Sequence, residues 1–332
     1  MKKNNSLIFF LTSALFIGCG ITDILNTSNI DSIISILIGS ILSLILFYFI
    51  NRISIYSEEK FFKKSINLYG NIIGNIINII LIIIFIFYYM YTLFSLNAFI
   101  QNKYLNKTPS ILIIFIFLIP VIYLSIKDYK TVIKVSYILF IISIINILIT
   151  YINLFPLIDL DNLKPMFNES ITSIFIGSIK YMTYFIVPSF LLVNVPNKKN
   201  YLFFTINNLK FITLFIFLIG VYGIDLCKIF YYPEFILLKK INYFNFIEHI
   251  ENILSCNYIF IFFITSTMCL KFIKDYFNNK SFYLITIFIS FLSIKLFNSN
   301  ISSYNFITNY YIYLCIPLVL IIFLINIKIK KK

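Results

Sequence analysis

Ten long apolar segments, separated by short polar loops that carry lysines, follow one another along this chain. Each is a continuous run of Ile, Leu and Phe without strict alternation, which favours helices over the strands of a barrel. About 20 apolar residues in a helix cross the hydrocarbon core of a bilayer. The pattern predicts membrane-spanning helices at 7–25, 30–51, 73–100, 110–126, 132–156, 170–195, 201–224, 250–270, 281–297 and 304–326.

The composition supports the same class of protein. The 332 residues are 60% hydrophobic and 12% charged, and the mean hydropathy is +0.94. A soluble domain of this length needs more charge to cover its surface. The sequence therefore predicts an all-α integral membrane protein with a single transmembrane domain over residues 1–332.

The basic residues predict the orientation of the chain in the membrane. With the N-terminus inside, most of the 27 Lys and Arg residues fall in inner segments, and Lys210 is counted with them. The outer segments hold Lys103, Lys107, Lys164, Lys228, Lys239, Lys240 and Lys295. This asymmetry places both termini in the cytoplasm. The net charge of +14 is spread over many loops, which suits anionic membrane lipid and not nucleic acid.

Metal, cofactor and enzyme chemistry find little support in the sequence. The five cysteines form no Cys-x-x-Cys pair and are interpreted as free thiols: Cys19, Cys227, Cys256, Cys269 and Cys315. The one histidine, His249, excludes a multi-histidine metal site. No Gly-rich phosphate loop, nucleophile elbow or HExxH motif is present. We expect no cofactor and no catalytic activity.

The loop at 157–169 divides the chain into two sets of five predicted spans, 7–156 and 170–326. An odd number of spans per half inverts one half relative to the other. Many secondary transporters have this 5+5 inverted repeat, with the first helix of each half broken at the bilayer midplane. We therefore expect helices 1 and 6 to be broken, and we expect the aromatic outer segment 225–251 to be ordered.

Span 1 has helix-weakening residues near its centre. The run Ile17-Gly18-Cys19-Gly20-Ile21 contains two glycines, and each costs about 1 kcal/mol against alanine in a helix. The glycines predict unwinding that would offer backbone groups to a ligand; close helix packing through small residues is the alternative. Asp23 lies toward the outer end of this span, where an ordinary interfacial carboxylate is the simpler interpretation.

Span 6 concentrates polar residues within one crossing: Gly177, Ser178, Lys180, Tyr181 and Tyr184, followed by Pro188. Lys180 is the only basic residue that we place deep in a span. A charge there costs at least about 2.5–3.5 kcal/mol unless it is paired or hydrated. We expect it to face a polar cavity, where it is hydrated or paired with a carboxylate; snorkelling to an interface is the alternative.

Polar residues in spans 3 and 8 extend the candidate site. Tyr88 and Thr92 share one face of span 3. Ser255, Cys256 and Asn257 in span 8 are candidates for lining a pocket or for helix packing. The predicted ligand-binding residues are Gly18, Cys19, Gly20, Tyr88, Thr92, Gly177, Ser178, Lys180, Tyr181 and Tyr184.

Several local motifs, in order, are similar to one known family. They are the Gly18-Cys19-Gly20-Ile21 step in span 1, Thr108-Pro109 before span 4, Tyr232-Pro233 after span 7, and the run from Phe246 to Glu251 before span 8. With the length and the ten spans, the chain resembles the B subunits of bacterial spore germinant receptors. These endospore germination permeases belong to the amino acid–polyamine–organocation transporter superfamily. His249 stands where the family has arginine, and Lys180 stands near an expected Gly-x-Glu step that is absent.

The resemblance implies a LeuT-like fold and a role as a sensor. It implies a multi-pass protein of the spore inner membrane or cell membrane that acts with A and C subunits. A small nutrient, expected to be an amino acid, would bind between spans 1 and 6 and trigger germination. The alternatives are an ion- or proton-coupled amino-acid transporter, with Lys180 or Asp23 as the coupling residue, and a structural scaffold with a degenerate pocket.

Overall fold

The computed structural model describes residues 5–57, 59–195, 201–241, 250–277, 279–297 and 299–331, and within these ranges the regular structure is helical. The α-helices are α1 Asn5–Ser13, α2 Cys19–Ser28, α3 Ser32–Tyr56, α4 Phe61–Lys103, α5 Ser110–Ile126, α6 Tyr129–Leu154, α7 Ile171–Ser189, α8 Tyr201–Ile229, α9 Pro233–Leu238, α10 Ile250–Lys274, α11 Asn279–Leu296, α12 Asn300–Asn305 and α13 Tyr311–Lys331.

Seven helical stretches in the described chain are long and apolar enough to cross a membrane. They are Cys19–Tyr56, Phe61–Lys103, Tyr129–Leu157, Ile171–Asn194, Tyr201–Ile229, Glu251–Lys274 and Ser302–Lys330. Three shorter apolar helices accompany them: Ser6–Phe16, Ser110–Ile126 and Phe282–Leu296. The prediction of an all-α, multi-pass membrane protein is therefore confirmed.

The first helix is broken at the predicted glycines. α1 passes into a 3₁₀ turn, Ala14–Phe16, and α2 starts at Cys19. Between them Ile17 is extended, and Gly18 has φ 75° and ψ −100°. This region of positive φ is open to glycine and strained for residues with a side chain. The position of Gly18 therefore decides where the helix stops and restarts.

The expected break in helix 6 is wrong. α7 is continuous from Ile171 to Ser189 and then tightens into a 3₁₀ turn, Phe190–Asn194. Gly177 does not loosen the helix, because its missing side chain makes room for α2 and α3: a Cβ there would lie 2.8 Å from Ser28 Oγ of α2 and 2.9 Å from Ser35 Oγ of α3. Pro188 stands in the last turn of α7, where the α-helix is ending.

α1 and α7 lie at the centre of the bundle. α1 packs against α6, α7, α8 and α10, and α3 packs along α7. Gly39 permits this last approach, because a Cβ there would lie 2.7 Å from the carbonyl oxygen of Ser178. The outward faces of α5 and α6 carry exposed apolar side chains such as Phe115 and Ile152, which suits a lipid environment.

Two further glycines bend long helices near their ends. Gly70 in α4 has φ 79° and Gly223 in α8 has φ 72°. The first separates the short helical segment 61–69 from the long span that follows. The second separates the span of α8 from the short segment 224–229.

The described part of the outer segment, 225–241, is packed. Tyr232, Phe235 and Leu237 are buried, and the Phe99 ring lies edge-on to the rings of Tyr232 and Phe235 at 5.4 and 5.7 Å. The Tyr222 hydroxyl donates to the Ile236 carbonyl at 2.9 Å. The expected order is thus found over 225–241. Most of the run from Phe246 to Glu251, with His249, lies outside the described residues.

Candidate functional site

The break in the first helix is held by a carboxyl group from the outer segment. The Gly18 N–H, just before α2, donates to Glu234 Oε1 at 2.8 Å. Glu234 belongs to α9, which lies outside the candidate membrane spans, and it is 4% exposed. Burial raises the pKa of the Glu234 carboxyl to about 8, although hydrogen bonds from its own amide and the Gly18 amide act in the opposite direction. The group is therefore largely neutral at pH 7.

A cavity of about 100 Å³ lies beside this break. α1, the Ile17 break, α2, α6, α8, α9 and α10 form its walls. Its lining is Phe9, Ser13, Phe16, Ile17, Ile21, Ile147, Thr150, Tyr151, Lys210, Phe211, Leu214, Glu234, Leu237, Leu238, Leu254, Asn257, Tyr258 and Ile261. A mainly apolar wall with a few polar groups is typical of sites for small organic molecules.

Lys210 brings an amine group into the wall of this cavity. Its Nζ donates to Ser13 Oγ at 2.6 Å and lies over the rings of Phe9 and Phe211, at 4.3 and 4.1 Å from their centroids. Among the described residues no carboxylate forms an ion pair with it. The assignment of Lys210 to an inner loop is wrong, because it stands within α8. Its position ten residues into the predicted span was the available signal.

A buried ion pair joins the second half of the broken helix to α7. Lys180 Nζ lies 2.7 Å from Asp23 Oδ1, and the Tyr184 hydroxyl donates to Asp23 Oδ2 at 2.5 Å. Lys180 is 8% exposed and Asp23 2%. Lys180 therefore faces the protein interior, and Asp23 is a buried and paired carboxylate. Lys180 and Tyr184 reach the same carboxylate because residues i and i+4 share a helix face.

Other predicted residues surround the break without lining the cavity. Cys19 Sγ lies 3.4 Å from the Tyr231 hydroxyl. A Cβ on Gly20 would lie 2.2 Å from the Leu15 carbonyl oxygen, so the turn leaves no room for a side chain. The Tyr181 hydroxyl donates to Asn208 Oδ1 at 2.8 Å.

The remaining four predicted residues lie on α4 and α7. Thr92 Oγ1 donates to the Tyr89 carbonyl at 2.8 Å and lies 3.1 Å from Ser266 Oγ. The buried Tyr88 hydroxyl has no hydrogen-bond partner among the described residues. Gly177 and Ser178 pack against α3, and the Ser178 hydroxyl donates to the Ile174 carbonyl. None of the ten predicted residues is among those that line the cavity, and their role in binding stays a prediction.

Sequence reasoning missed Glu234 and Lys210, and it included Asn257 only as a candidate. Asn257 Oδ1 accepts from Asn146 Nδ2 at 3.2 Å, across the contact between α10 and α6. A carboxylate directly after Tyr232-Pro233, in a segment rich in aromatic residues, was the signal for Glu234. The partner of that carboxylate, the Gly18 N–H, is far away in sequence, so the sequence did not indicate the pair.

A second polar cluster lies at the end of α10. Asp275 accepts from Lys60 Nζ at 2.6 Å, from the Tyr129 hydroxyl at 2.7 Å and from Asn194 Nδ2 at 3.1 Å. These partners stand at the starts of α4 and α6 and at the end of the 3₁₀ turn after α7. Asp275 thus ties four elements together. In the described residues no group of three or more His, Cys, Asp and Glu side chains could hold a metal ion.

The comparison with known proteins agrees with this architecture. A family model described as spore germination protein matches residues 4–331, which is nearly the whole chain. No curated protein sequence matches the chain. The chain therefore belongs to the spore germination protein family.

Proposed function

We propose that this chain is the membrane subunit of a spore germinant receptor, which binds a small nutrient in the cavity beside the broken first helix and triggers germination. The ligand class that we propose is an amino acid. Binding would favour one conformation of the bundle, and the A and C subunits would respond to that conformation. This requires the ligand to bind the two conformations with different affinities. The protein would reside in the spore inner membrane or the cell membrane, with both termini in the cytoplasm.

One observation carries this proposal: a helix break at Gly18 directly adjoins a cavity with few polar groups. Freed backbone groups and half-helix ends at the centre of a bundle are the means by which transporter folds hold small ligands. Thr150, Lys210 and Asn257 add hydrogen-bonding groups to the apolar wall. The volume of about 100 Å³ suits a small molecule better than a peptide.

The ten-span, 5+5 LeuT-like arrangement is part of the proposal. Seven long stretches and three shorter apolar helices supply enough crossings. Gly70 interrupts α4 just before the third predicted span, and Gly223 interrupts α8 at the end of the seventh. These are equivalent places in two halves of five spans, which supports a repeat.

Two variants of α6 test the cavity as the ligand site. Ile147 lines the cavity, whereas Ile145 is 52% exposed on the outward face of the same helix. Ile147→Phe should take up space that the ligand needs and weaken the binding of L-amino acids to purified protein by about tenfold or more, which corresponds to about 1.4 kcal/mol. Ile145→Phe should leave binding unchanged. Equal effects of the two variants, or no binding to the wild type, would contradict the proposal.

A coupled amino-acid transporter is the second candidate function. The buried pair of Lys180 and Asp23 favours it, because intramembrane charges often belong to ion or proton pathways. Uptake of labelled amino acids into proteoliposomes separates the two functions. A sensor binds without net uptake, whereas a transporter accumulates the label in response to a proton or sodium gradient.

A further inference from the structure

The carboxyl group of Glu234 stands where a helix end attracts an anion. The N-terminal end of an α-helix carries a partial positive charge and unpaired N–H groups. α2 has ten residues, and Gly18 before it provides no side-chain cap. The Gly18 N–H bonds to Glu234 Oε1 at 2.8 Å. Glu234 therefore fills the position at this end of α2 that a carboxylate prefers.

Glu234 is incompletely satisfied at this position. Its other oxygen, Oε2, is buried and has no hydrogen-bond partner among the described residues. Burial raises the pKa of the carboxyl to about 8, so at pH 7 the acceptor is largely neutral. A ligand carboxylate that also found a donor for its second oxygen would satisfy this position more fully than Glu234 does.

The element that carries Glu234 is also a wall of the cavity. Leu237 and Leu238 of α9 line the cavity together with Glu234, and Ile17 and Ile21 line it on either side of the Gly18 break. A group that replaced Glu234 at Gly18 would thus act on α9 directly.

We propose that Glu234 is a built-in occupant of the ligand-carboxylate position at the start of α2, and that a ligand carboxylate displaces it and releases α9. This inference rests on the proposed function, because it assumes that the cavity takes a ligand with a carboxylate. The contact between α9 and the broken helix then holds the empty receptor in its resting state. Movement of α9 then changes the outer surface of the protein when a ligand fills the cavity.

Acetate tests the carboxylate position without knowledge of the germinant. Glu234→Ala empties the position, and Glu234→Gln keeps an oxygen that can accept from Gly18. With sodium acetate at pH 7, the melting temperature of purified Glu234→Ala should rise saturably, by about 3 °C or more beyond the effect of equimolar sodium chloride. The wild type and Glu234→Gln should show no such excess. Asp161→Ala, which removes an exposed acid, should behave as the wild type does.

If Glu234→Ala folds poorly, acetate present during purification should restore the yield of folded protein, and chloride should not. Equal responses of Glu234→Ala and wild type to acetate would overturn the inference, as would rescue by chloride. Hydrogen exchange provides a second measurement: a mixture of L-amino acids should speed exchange of the amides of Phe235–Leu238 in the wild type. Bound amino acids with unchanged exchange there would also overturn it. Specific rescue by acetate without any binding of amino acids would instead contradict the proposed function.

Discussion

Lys180 is a buried lysine, and lysines are almost never fully buried in soluble proteins unless they are paired. Its ammonium group is buried within the bundle and is balanced by Asp23, which also accepts from Tyr184. Breaking such a pair on one side leaves an uncompensated charge, which costs about 3–5 kcal/mol. The pair therefore fixes the second half of the broken helix against α7.

We expect Lys180→Met to impair the germination response more than it impairs expression, and to lower thermal stability, because Asp23 is left unpaired. The double variant Lys180→Met with Asp23→Asn should regain most of the stability, since the amide oxygen can still accept from Tyr184. Melting curves in detergent and dose–response curves of spores provide the readout. Lys295→Met, on an exposed surface, is the control. A wild-type response of Lys180→Met would remove this residue from the candidate site.

Gly20 is a position at which a nearby backbone atom leaves no room for a side chain. Alanine is favoured over glycine in a helix by about 1 kcal/mol. At Gly20 its Cβ would nevertheless lie 2.2 Å from a backbone oxygen, that of Leu15. We expect Gly20→Ala to lower the melting temperature and to abolish the response. Gly220→Ala meets the Ile158 side chain at 2.8 Å, which can move, and a backbone oxygen only at 3.8 Å, so it should be nearly neutral. Equal melting temperatures and responses of Gly20→Ala and Gly220→Ala would contradict a tight turn at Gly20.

At the scale of elements, α9 is the unexpected feature. It is only six residues long, yet Glu234 reaches the break in the first helix and Lys103 Nζ lies 5.0 Å from the ring centroid of Phe235. A short helix of this kind is held by its tertiary contacts, because so few residues do not form a stable helix alone.

The carboxyl of Glu234 should make stability depend on pH. Its pKa in the folded protein is about 8, above the ordinary 4.5, because burial outweighs the opposing effects of the Gly18 amide and Lys103. The folded protein keeps a proton that the unfolded chain releases, so its stabilising effect is complete below pH 4.5 and is lost as the pH rises toward 8.

Because of the Glu234 carboxyl, we expect the melting temperature of the wild type to fall by about 2–3 °C per pH unit between pH 5 and 8. Glu234→Gln cannot ionise and should show a flatter profile over the same range. Calorimetry or dye-monitored melting of the purified protein at matched ionic strength measures both. Parallel profiles for the two proteins would show that another group controls the pH dependence.

At the scale of the whole molecule, Asp275 joins four elements at one end of the bundle through Lys60, Tyr129 and Asn194. Hydrogen bonds to charged groups contribute about 1.5–3 kcal/mol each. We expect Asp275→Ala to lower the melting temperature by several degrees, whereas Asp161→Ala at the surface should change it little. Expression with unchanged stability would contradict a structural role for this cluster.

The orientation in the membrane is a separate prediction that rests on the distribution of basic residues. A cysteine introduced at Asp161, in the loop between the two sets of five spans, should react with impermeant thiol reagents added to intact cells. A cysteine at Glu59, between the second and third spans, should react only after the membrane is opened. The unmodified protein, with its five native cysteines, provides the background. The opposite pattern would reverse the orientation.

The sequence alone determined the class of the protein, indicated where its apolar helices lie and favoured a break in the first helix near Gly18 and Gly20. Continuous hydrophobicity and a glycine in mid-span are local properties, and the bilayer converts them directly into helices. The same reasoning failed at helix 6, where Gly177 serves packing against α3. A glycine can weaken a helix or allow another helix to pack closely against it. Only the tertiary structure shows which of these two roles a given glycine has.

The tertiary structure decided which polar groups meet. Glu234 binds the Gly18 N–H across 216 residues, and Lys180 pairs with Asp23 across 157. Burying an unpaired charge in a membrane bundle is costly, so each such group must find a partner, but the sequence does not specify which. The packing of α7 against α2, and the contact of α9 with the break at Gly18, bring these distant residues together. The cavity beside Gly18 therefore exists only in the assembled bundle.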